Sequence, residues 1–141
     1  MTIRIKRVDK EARLPQYAHP GDAGMDFFSN EEVILRPGER KLVPTGISMA
    51  IPGGYVGLFW DKSGIASKFG IKSMAGVIDA GYRGEIRILL HNLSSDEFKI
   101  EKGMKIAQML IQPVEQKQLI EVDDLDDTER SDGGFGSTGL E

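Results

Sequence analysis

The 141-residue sequence predicts an all-β sandwich or barrel that carries one short helix. Three observations predict this class. About ten runs of strand length follow one another at a spacing of about 8–12 residues. Seventeen glycines and six prolines separate these runs into turns. Helical character is confined to one segment, and no repeat of about 20–50 residues indicates a propeller or a solenoid.

The first half of the chain contains five predicted strands. The N-terminal run alternates, which places Ile3 and Ile5 on its inward face, and Val8 is a further candidate for that face. A proline and a glycine inside the fourth run indicate an edge position or a bulge. These strands are expected at 2–8, 25–29, 32–35, 41–51 and 55–60.

The second half begins with the one predicted helix, at 61–70, capped by Asp61 or Ser63 and ended by Gly70. A glycine-rich hairpin follows, with a turn after its first strand. The remaining strands are expected at 75–78, 85–92, 96–100, 105–114 and 119–122.

Composition excludes several classes of function. The net charge of −4 disfavours a nucleic-acid-binding surface. The chain has no cysteine, so it has no disulfide and no zinc-thiolate site, and two histidines are too few for a histidine-rich metal site. No apolar run approaches the roughly 18 residues that cross a bilayer, and the alternating N-terminus lacks the apolar region of a signal peptide. We therefore expect a cytoplasmic protein without membrane or nucleic-acid partners.

The composition changes after Val122, which divides the chain into a β-barrel domain at 1–122 and a C-terminal arm at 123–141. The arm is acidic and then glycine-rich, and it contains too little apolar surface to order itself. One interpretation is a solvated, cleavable terminus. The other is a flexible arm that closes over a ligand, because Phe135 lies between glycines and Arg130 is a planar cation suited to phosphate.

The predicted hairpin carries the first group of candidate residues. Gly76 and Gly81 bend a segment that presents the Asp79 carboxylate and, three residues later, the Tyr82 ring. A carboxylate and an aromatic ring on a glycine-bent hairpin suit a ligand with a sugar or a base. The alternative is a tight turn in which the aspartate caps its own backbone.

Three further constellations contain groups that suit phosphate or its counter-ion. Asp22-Ala-Gly-Met-Asp26 places two carboxylates around a glycine, and the helix start at 62–64 offers amide groups, a hydroxyl and an ammonium. Lys105 and Gln108 place a cation and an amide along one predicted strand. Each could instead be a turn, a helix cap or a solvated strand charge. Together with the hairpin they describe a nucleotide site.

In this order the motifs resemble those of the trimeric deoxyuridine triphosphatase (dUTPase) family over almost the full chain. The glycine-rich hairpin and the arm motif are the most specific of them. The five segments are DAGMD (22–26), KSGIA (62–66), GVIDAGYRGE (76–85), GMKIAQ (103–108) and RSDGGFGSTG (130–139).

The resemblance implies a jelly-roll-like, distorted β-barrel that assembles as a homotrimer with active sites between subunits. It implies hydrolysis of dUTP to dUMP and pyrophosphate, by Mg²⁺-assisted in-line attack of water on the α-phosphate. This reaction would limit uracil in DNA and supply dUMP for dTMP synthesis. The arm would close over the active site.

The resemblance also assigns roles to residues. Asp79 would orient or deprotonate the attacking water, Gln108 would hold phosphate or water, and Asp26 would reach Mg²⁺ through a coordinated water. Uracil would pair with the main chain of 76–78. The substrate-binding residues would be Lys62, Ser63, Gly64, Gly76, Val77, Ile78, Tyr82, Arg87, Lys105, Arg130, Phe135, Gly136, Ser137 and Thr138.

Two departures and two alternatives accompany the resemblance. The family commonly has arginine where Lys62 and Lys105 stand, and lysine keeps the charge without the bidentate fork. The related dCTP deaminases share the hairpin but place a glutamate where Leu89 stands. A non-catalytic nucleotide-binding module on the same barrel is the other alternative.

Overall fold

A computed structural model describes residues 1–141 and contains eleven strands and one helix. The single helix has seven residues and is too short to span a bilayer. The elements in chain order are β1 (Arg4–Arg7), β2 (Met25–Phe28), β3 (Val33–Leu35), β4 (Arg40–Pro44), β5 (Ile47–Ala50), β6 (Tyr55–Asp61), α1 (Ser63–Phe69), β7 (Ile71–Met74), β8 (Val77–Ile78), β9 (Arg87–Asn92), β10 (Phe98–Ile100) and β11 (Lys105–Pro113).

The strands form four small antiparallel sheets, which confirms the predicted all-β class with one short helix. The sheets have the strand orders β2-β11-β6-β8, β4-β9-β7, β1-β5 and β10-β3. Strand neighbours are distant in sequence in most of them, as expected for a barrel in which the chain crosses repeatedly between sheets. The central positions of β6 and β11 matter most here, because both carry candidate site residues.

The inner faces of these sheets enclose one core of 19 buried apolar residues. Phe27 and Phe59 meet edge to face with ring centroids 4.9 Å apart, an arrangement that aromatic pairs prefer. Leu35 and Ile100, from the paired strands β3 and β10, are fully buried. The core therefore joins all four sheets and anchors the strands from which the site loops extend.

The helix lies close to its predicted position, but its predicted cap is wrong. Gly70 adopts the left-handed conformation with φ 67° and ends the helix, as expected. Lys62 occupies the N-cap position without a side-chain cap. The Asp61 carboxylate is unavailable because it accepts hydrogen bonds from the Ser73 amide and hydroxyl instead.

The predicted hairpin is also wrong in its pairing. The strand at 75–78 shortens to β8, which pairs with β6, while β9 pairs with β4 and with the unpredicted strand β7. Ala75 explains the change, because its φ of 52° turns the chain between β7 and β8. The segment from β8 to β9 is thus a loop between two sheets.

Three other predictions differ from the structure. The run at 41–51 divides into β4 and β5, with Gly46 at φ 70° between them. Ile5 and Val8 are exposed rather than inward, since β1 pairs only with β5 at the surface. Residues 119–122 form no strand and are exposed, because no strand of the same chain lies beside them.

Burial predicts how strongly the core depends on β10. Ile100→Ala should lower the free energy of unfolding by about 2–5 kcal/mol, since it leaves a cavity between β10 and its neighbours. Lys99→Ala, an exposed position on the same strand, should change it by less than about 0.5 kcal/mol. Urea unfolding followed by circular dichroism measures both, and equal losses would contradict this assignment of the core.

Candidate active site

A buried carboxylate with two lysines forms the first cluster of site residues. Asp26 lies on β2 and is 1% exposed. The Lys62 ammonium donates a hydrogen bond of 2.7 Å to its Oδ1. The Lys105 ammonium lies 3.2 Å from Oδ2, but without hydrogen-bond geometry, so Oδ2 has an ionic neighbour and no hydrogen bond. Lys105 thus begins an interior strand, β11, rather than an edge strand, and its side chain is 45% exposed.

This cluster carries a net positive charge at neutral pH. Burial alone would raise the pKa of Asp26, but the hydrogen bond from Lys62 and the nearby Lys105 ammonium outweigh it and hold that pKa below its ordinary value of 3.8. One negative charge therefore holds two positive ones in place. The surplus charge suits an anion that approaches the partly exposed lysines.

Gln108 extends the cluster along β11. It lies opposite Asp26 on one side and Trp60 on the other. Its Nε2 donates a hydrogen bond of 2.9 Å to the carbonyl oxygen of Asp61. Gly24 leaves the space for its side chain, since a Cβ there would lie 2.4 Å from Oε1.

The start of α1 adjoins the same cluster. Ser63 and Gly64 are exposed and follow Lys62 directly. The amide groups of a first helical turn have no acceptor within the helix, so these residues present free N–H groups and a hydroxyl beside the lysines. DAGMD, KSGIA and GMKIAQ are therefore brought together within one chain, as a cationic cluster around Asp26.

The loop from β8 to β9 forms a second, separate cluster. The Phe59 amide donates to the Gly76 carbonyl over 2.9 Å, and a Cβ on Gly76 would lie 2.8 Å from the Phe59 carbonyl oxygen. Only glycine allows this close approach of the two backbones. Val77 and Ile78 follow as an edge strand, with one side of the backbone free of strand partners.

Asp79 and Tyr82 project from this loop. The loop turn closes through a main-chain bond from the Tyr82 amide to the Asp79 carbonyl, 3.1 Å long. The exposed Asp79 carboxylate accepts no hydrogen bond, so it does not cap its own turn. The Tyr82 hydroxyl donates to the Glu85 carbonyl over 2.8 Å. A cavity of about 760 Å³ lies beside Asp79, between the loop and Tyr55.

The two clusters lie toward opposite ends of β6. Ile78 pairs with Gly57, and the antiparallel chain then carries Asp79 toward Tyr55, whereas Gln108 and Lys62 lie at the Asp61 end. Val56 and Asp61 are five residues apart on an extended strand, which is roughly 16 Å at about 3.3 Å per residue. A single chain therefore does not bring Asp79 to the cationic cluster.

The remaining candidate residues lie at the end of the second cluster and in the arm. Arg87 begins β9, is exposed, and lies 3.6 Å from Glu85. In the arm, Arg130 donates to the Gly133 carbonyl over 2.8 Å, and Phe135 is fully exposed. No hydrogen bond or ion pair joins 115–141 to the preceding residues. Gly136, Ser137 and Thr138 line the same small concavity as Arg130.

Comparison with known proteins identifies the family. The dUTPase family model matches residues 10–139. The chain belongs to the dUTPase family. This confirms the resemblance that the five motifs carry.

Relatives of the dUTPase family match over nearly the whole chain. A deoxyuridine 5'-triphosphate nucleotidohydrolase of Clostridium kluyveri is 54% identical and covers 99% of each chain. The Thermobifida fusca protein of the same name is 47% identical over 97% of this chain and 78% of its own.

Solved dUTPase structures share the fold. A Staphylococcus bacteriophage 80alpha dUTPase variant with dUpNHpp has a TM-score of 0.93 at 34% identity, covering 99% of both chains. A phage phi11 dUTPase variant with a structural Mg(II) ion has a TM-score of 0.85 at 30% identity, covering 90% of this chain and all of the other. The predicted jelly-roll-like barrel is confirmed by these neighbours.

Several residues that shape the site were not predicted as site residues. Asp61 supplies the carbonyl that holds Gln108, and Ser73 holds the Asp61 side chain. Gly24 makes room for Gln108. The glycine between the two aspartates of DAGMD is a sequence signal for such close packing, whereas the Asp61–Ser73 contact joins strands of different sheets and has no local signal.

The side chains of this chain do not form a set of ligands for a permanently bound metal ion. No group of three or more histidine, cysteine, aspartate or glutamate side chains converges anywhere in the chain. Both oxygens of Asp26 face lysine ammonium groups, which disfavours direct contact with a metal ion. These residues therefore do not fit a directly bound metal ion.

The low pKa of Asp26 predicts the acid stability of the protein. A carboxyl whose pKa is lower in the folded state than in the unfolded state stabilises the fold at pH values above its unfolded-state pKa, here about 3.8. Stability is then lost as the pH falls from there through the folded value, because unfolding takes up a proton. Asp26→Asn should have a free energy of unfolding lower than that of the wild type by about 1–3 kcal/mol at pH 7. Below pH 4 its stability should fall less steeply with pH than that of the wild type.

Urea unfolding between pH 2.5 and 7 checks this expectation. Asp96→Asn is the control, since it removes an exposed carboxylate that makes no side-chain hydrogen bond or ion pair, and it should keep the wild-type profile. A profile for Asp26→Asn that parallels the wild type at every pH would contradict the assigned role of this carboxylate.

Proposed function

We propose that the chain hydrolyses dUTP to dUMP and pyrophosphate. Membership of the dUTPase family carries this proposal, together with relatives named deoxyuridine 5'-triphosphate nucleotidohydrolase. A structural neighbour was solved with the dUTP analogue dUpNHpp. The two clusters supply chemistry for the two halves of this substrate.

The cationic cluster would bind the triphosphate. Lys62 and Lys105 supply positive charge, and Ser63 and Gly64 supply amide groups and a hydroxyl at a helix start. Such groups neutralise phosphate oxygens and hold the chain of phosphates in one conformation. Lysine acts as a point charge, whereas arginine would bind a phosphate through two parallel hydrogen bonds. The amide groups at the helix start would therefore contribute more to orienting the phosphates.

The loop from β8 to β9 would bind the nucleoside. Because β8 is an edge strand, its outer N–H and C=O groups are free to pair with the polar edge of uracil. A cytosine amino group would leave buried polar groups mismatched, and a 5-methyl group would meet the close-packed backbone near Gly76. Tyr82 would pack against the deoxyribose and exclude a 2′-hydroxyl, with its ring held by the bond to Glu85.

Asp79 would act on the attacking water. Its carboxylate is exposed and has no hydrogen bond that would compete for this role. A carboxylate that positions a water for in-line attack contributes about 10²–10⁴-fold to a rate. Gln108 would hold the water or a phosphate oxygen from the other side.

Magnesium would enter with the substrate as its counter-ion. When bound, it would supply positive charge that offsets the negative charge of the phosphates against the incoming nucleophile. Asp26 would reach it only through a coordinated water, since both of its oxygens face lysines. The family neighbour with a structural Mg(II) ion agrees with a divalent cation in this fold.

The assembly that completes this site would be a homotrimer with sites between subunits. Asp79 and the cationic cluster are separated along β6 within one chain, so a second copy must supply one of them. The arm at 123–141 has no bonds to its own barrel and would close over the site, with Phe135 over the uracil. Arg130, Ser137 and Thr138 would then contact the terminal phosphate.

A product assay tests the proposed reaction. With Mg²⁺ and dUTP the protein should release dUMP and pyrophosphate, with no ammonia from dCTP. Leu89, half-buried on β9, offers no carboxylate for deamination. Ammonia from dCTP would instead support a deaminase, and binding without turnover would support a non-catalytic module.

Removal of the proposed water-orienting group should abolish turnover. Asp79→Ala should lower kcat for dUTP by at least about 100-fold with little effect on folding, because this side chain makes no bond in the structure. Asp96→Ala, another exposed acid, should retain wild-type kcat. Turnover at the wild-type rate by Asp79→Ala would refute the role.

Removal of the arm should affect catalysis and spare the barrel. Deletion after Glu129 should lower kcat/KM strongly and shift Tm by less than about 2 °C, because the arm makes no bonds to the barrel. Deletion of Leu140 and Glu141 alone should leave both values unchanged. A large fall in Tm without a loss of activity would show that the arm is structural.

A further inference from the structure

Asp61 ties together two sheets at the end of β6. Its Oδ1 accepts hydrogen bonds from the Ser73 amide at 2.6 Å and the Ser73 hydroxyl at 2.8 Å. Its Oδ2 accepts one from Lys72 at 2.9 Å. Ser73 and Lys72 belong to β7, which lies in a different sheet from β6. The Asp61 side chain is only 25% exposed, so these bonds form in a partly desolvated position.

The backbone of the same residue holds the Gln108 side chain. The Asp61 carbonyl accepts the Gln108 Nε2–H at 2.9 Å, which fixes which end of the carboxamide faces β6. On the opposite side, the closeness of Gly24 confines Oε1. Asp61 also immediately precedes Lys62 and the helix start. The direction of its carbonyl thus depends on a peptide at a strand end, which the carboxylate bonds to β7 hold still.

We propose that Asp61 is a positioning residue that acts through Gln108. Without its carboxylate, this last residue of β6 keeps its pairing with Ala107 but loses its bonds to β7, so its carbonyl shifts and the Gln108 carboxamide loses its fixed orientation. When the carboxamide flips, its NH2 donor and its carbonyl oxygen acceptor exchange positions, so the ligand meets the wrong hydrogen-bonding group. This inference rests on the proposed function, in which Gln108 holds the water or a phosphate oxygen.

A double-mutant cycle on dUTP hydrolysis tests the inference. Asp61→Ala should lower kcat by about 10–100-fold, as expected when a reacting group is misplaced by about 1 Å. In a Gln108→Ala background the same substitution should lower kcat by less than about twofold. A purely structural role for Asp61 would not produce this dependence on Gln108.

Two matched variants distinguish the hydrogen bonds of the Asp61 side chain to Ser73 from its ionic interaction with Lys72. Asp61→Asn keeps an oxygen that accepts from both Ser73 groups, so it should restore kcat to within about threefold of the wild type. Lys72→Ala removes only the exposed ionic partner and should leave kcat unchanged. If Asp61→Ala does not fold, Ser73→Ala, which removes only the hydroxyl donor, replaces it in the cycle.

Each contrary outcome has a distinct meaning. Equal losses from Asp61→Ala in both backgrounds, wild-type kcat for Asp61→Ala, or full activity for Gln108→Ala would overturn the inference. A wild-type protein that does not hydrolyse dUTP would overturn the proposed function instead. Circular dichroism at the assay temperature, together with a Tm well above that temperature, confirms that every variant is folded.

Discussion

The geometry of one extended strand determines what a single chain can do. Strand β6 carries the corner of the cationic cluster at Asp61 and pairs near Gly57 with β8, which leads into the loop that carries Asp79. A β-strand has a fixed rise per residue, so packing adjustments cannot bring these two regions together. Each chain therefore presents two separate clusters, and in the proposed function association of chains would join them into one site.

Charge pairing keeps the cationic half organised before any ligand arrives. Asp26 is buried, and two ammonium groups hold its pKa low, so it remains charged at neutral pH. In return it fixes Lys62 and Lys105 near the surface of the barrel. Preorganised charge of this kind stabilises a multiply charged substrate without a reorganisation cost at the moment of reaction. The backbone hydrogen bond from Phe59 to Gly76 likewise fixes the position of β8 before any ligand arrives.

Local sequence patterns predicted the elements well and their partners poorly. Alternation and turn residues identified most strands and the glycine that ends the helix. The pairing of β8 with β6 was missed because it depends on a left-handed Ala75, and nothing in the residue type favours that conformation. The strand expected at 119–122 has the composition of a strand but no partner within its chain. The motifs located both clusters, whereas the support that Asp61 gives to Gln108 depends on a contact between sheets.

Subunit complementation tests most directly whether the site is shared between chains. Asp79→Ala and Gln108→Ala chains, each of which retains only a small residual kcat alone, should recover dUTP hydrolysis when they are refolded together, because some interfaces then combine two intact halves. A mixture of Lys62→Ala with Gln108→Ala, both from the cationic cluster, should recover none. Activity of the first mixture no greater than the sum of its two parents would contradict a site built from two chains.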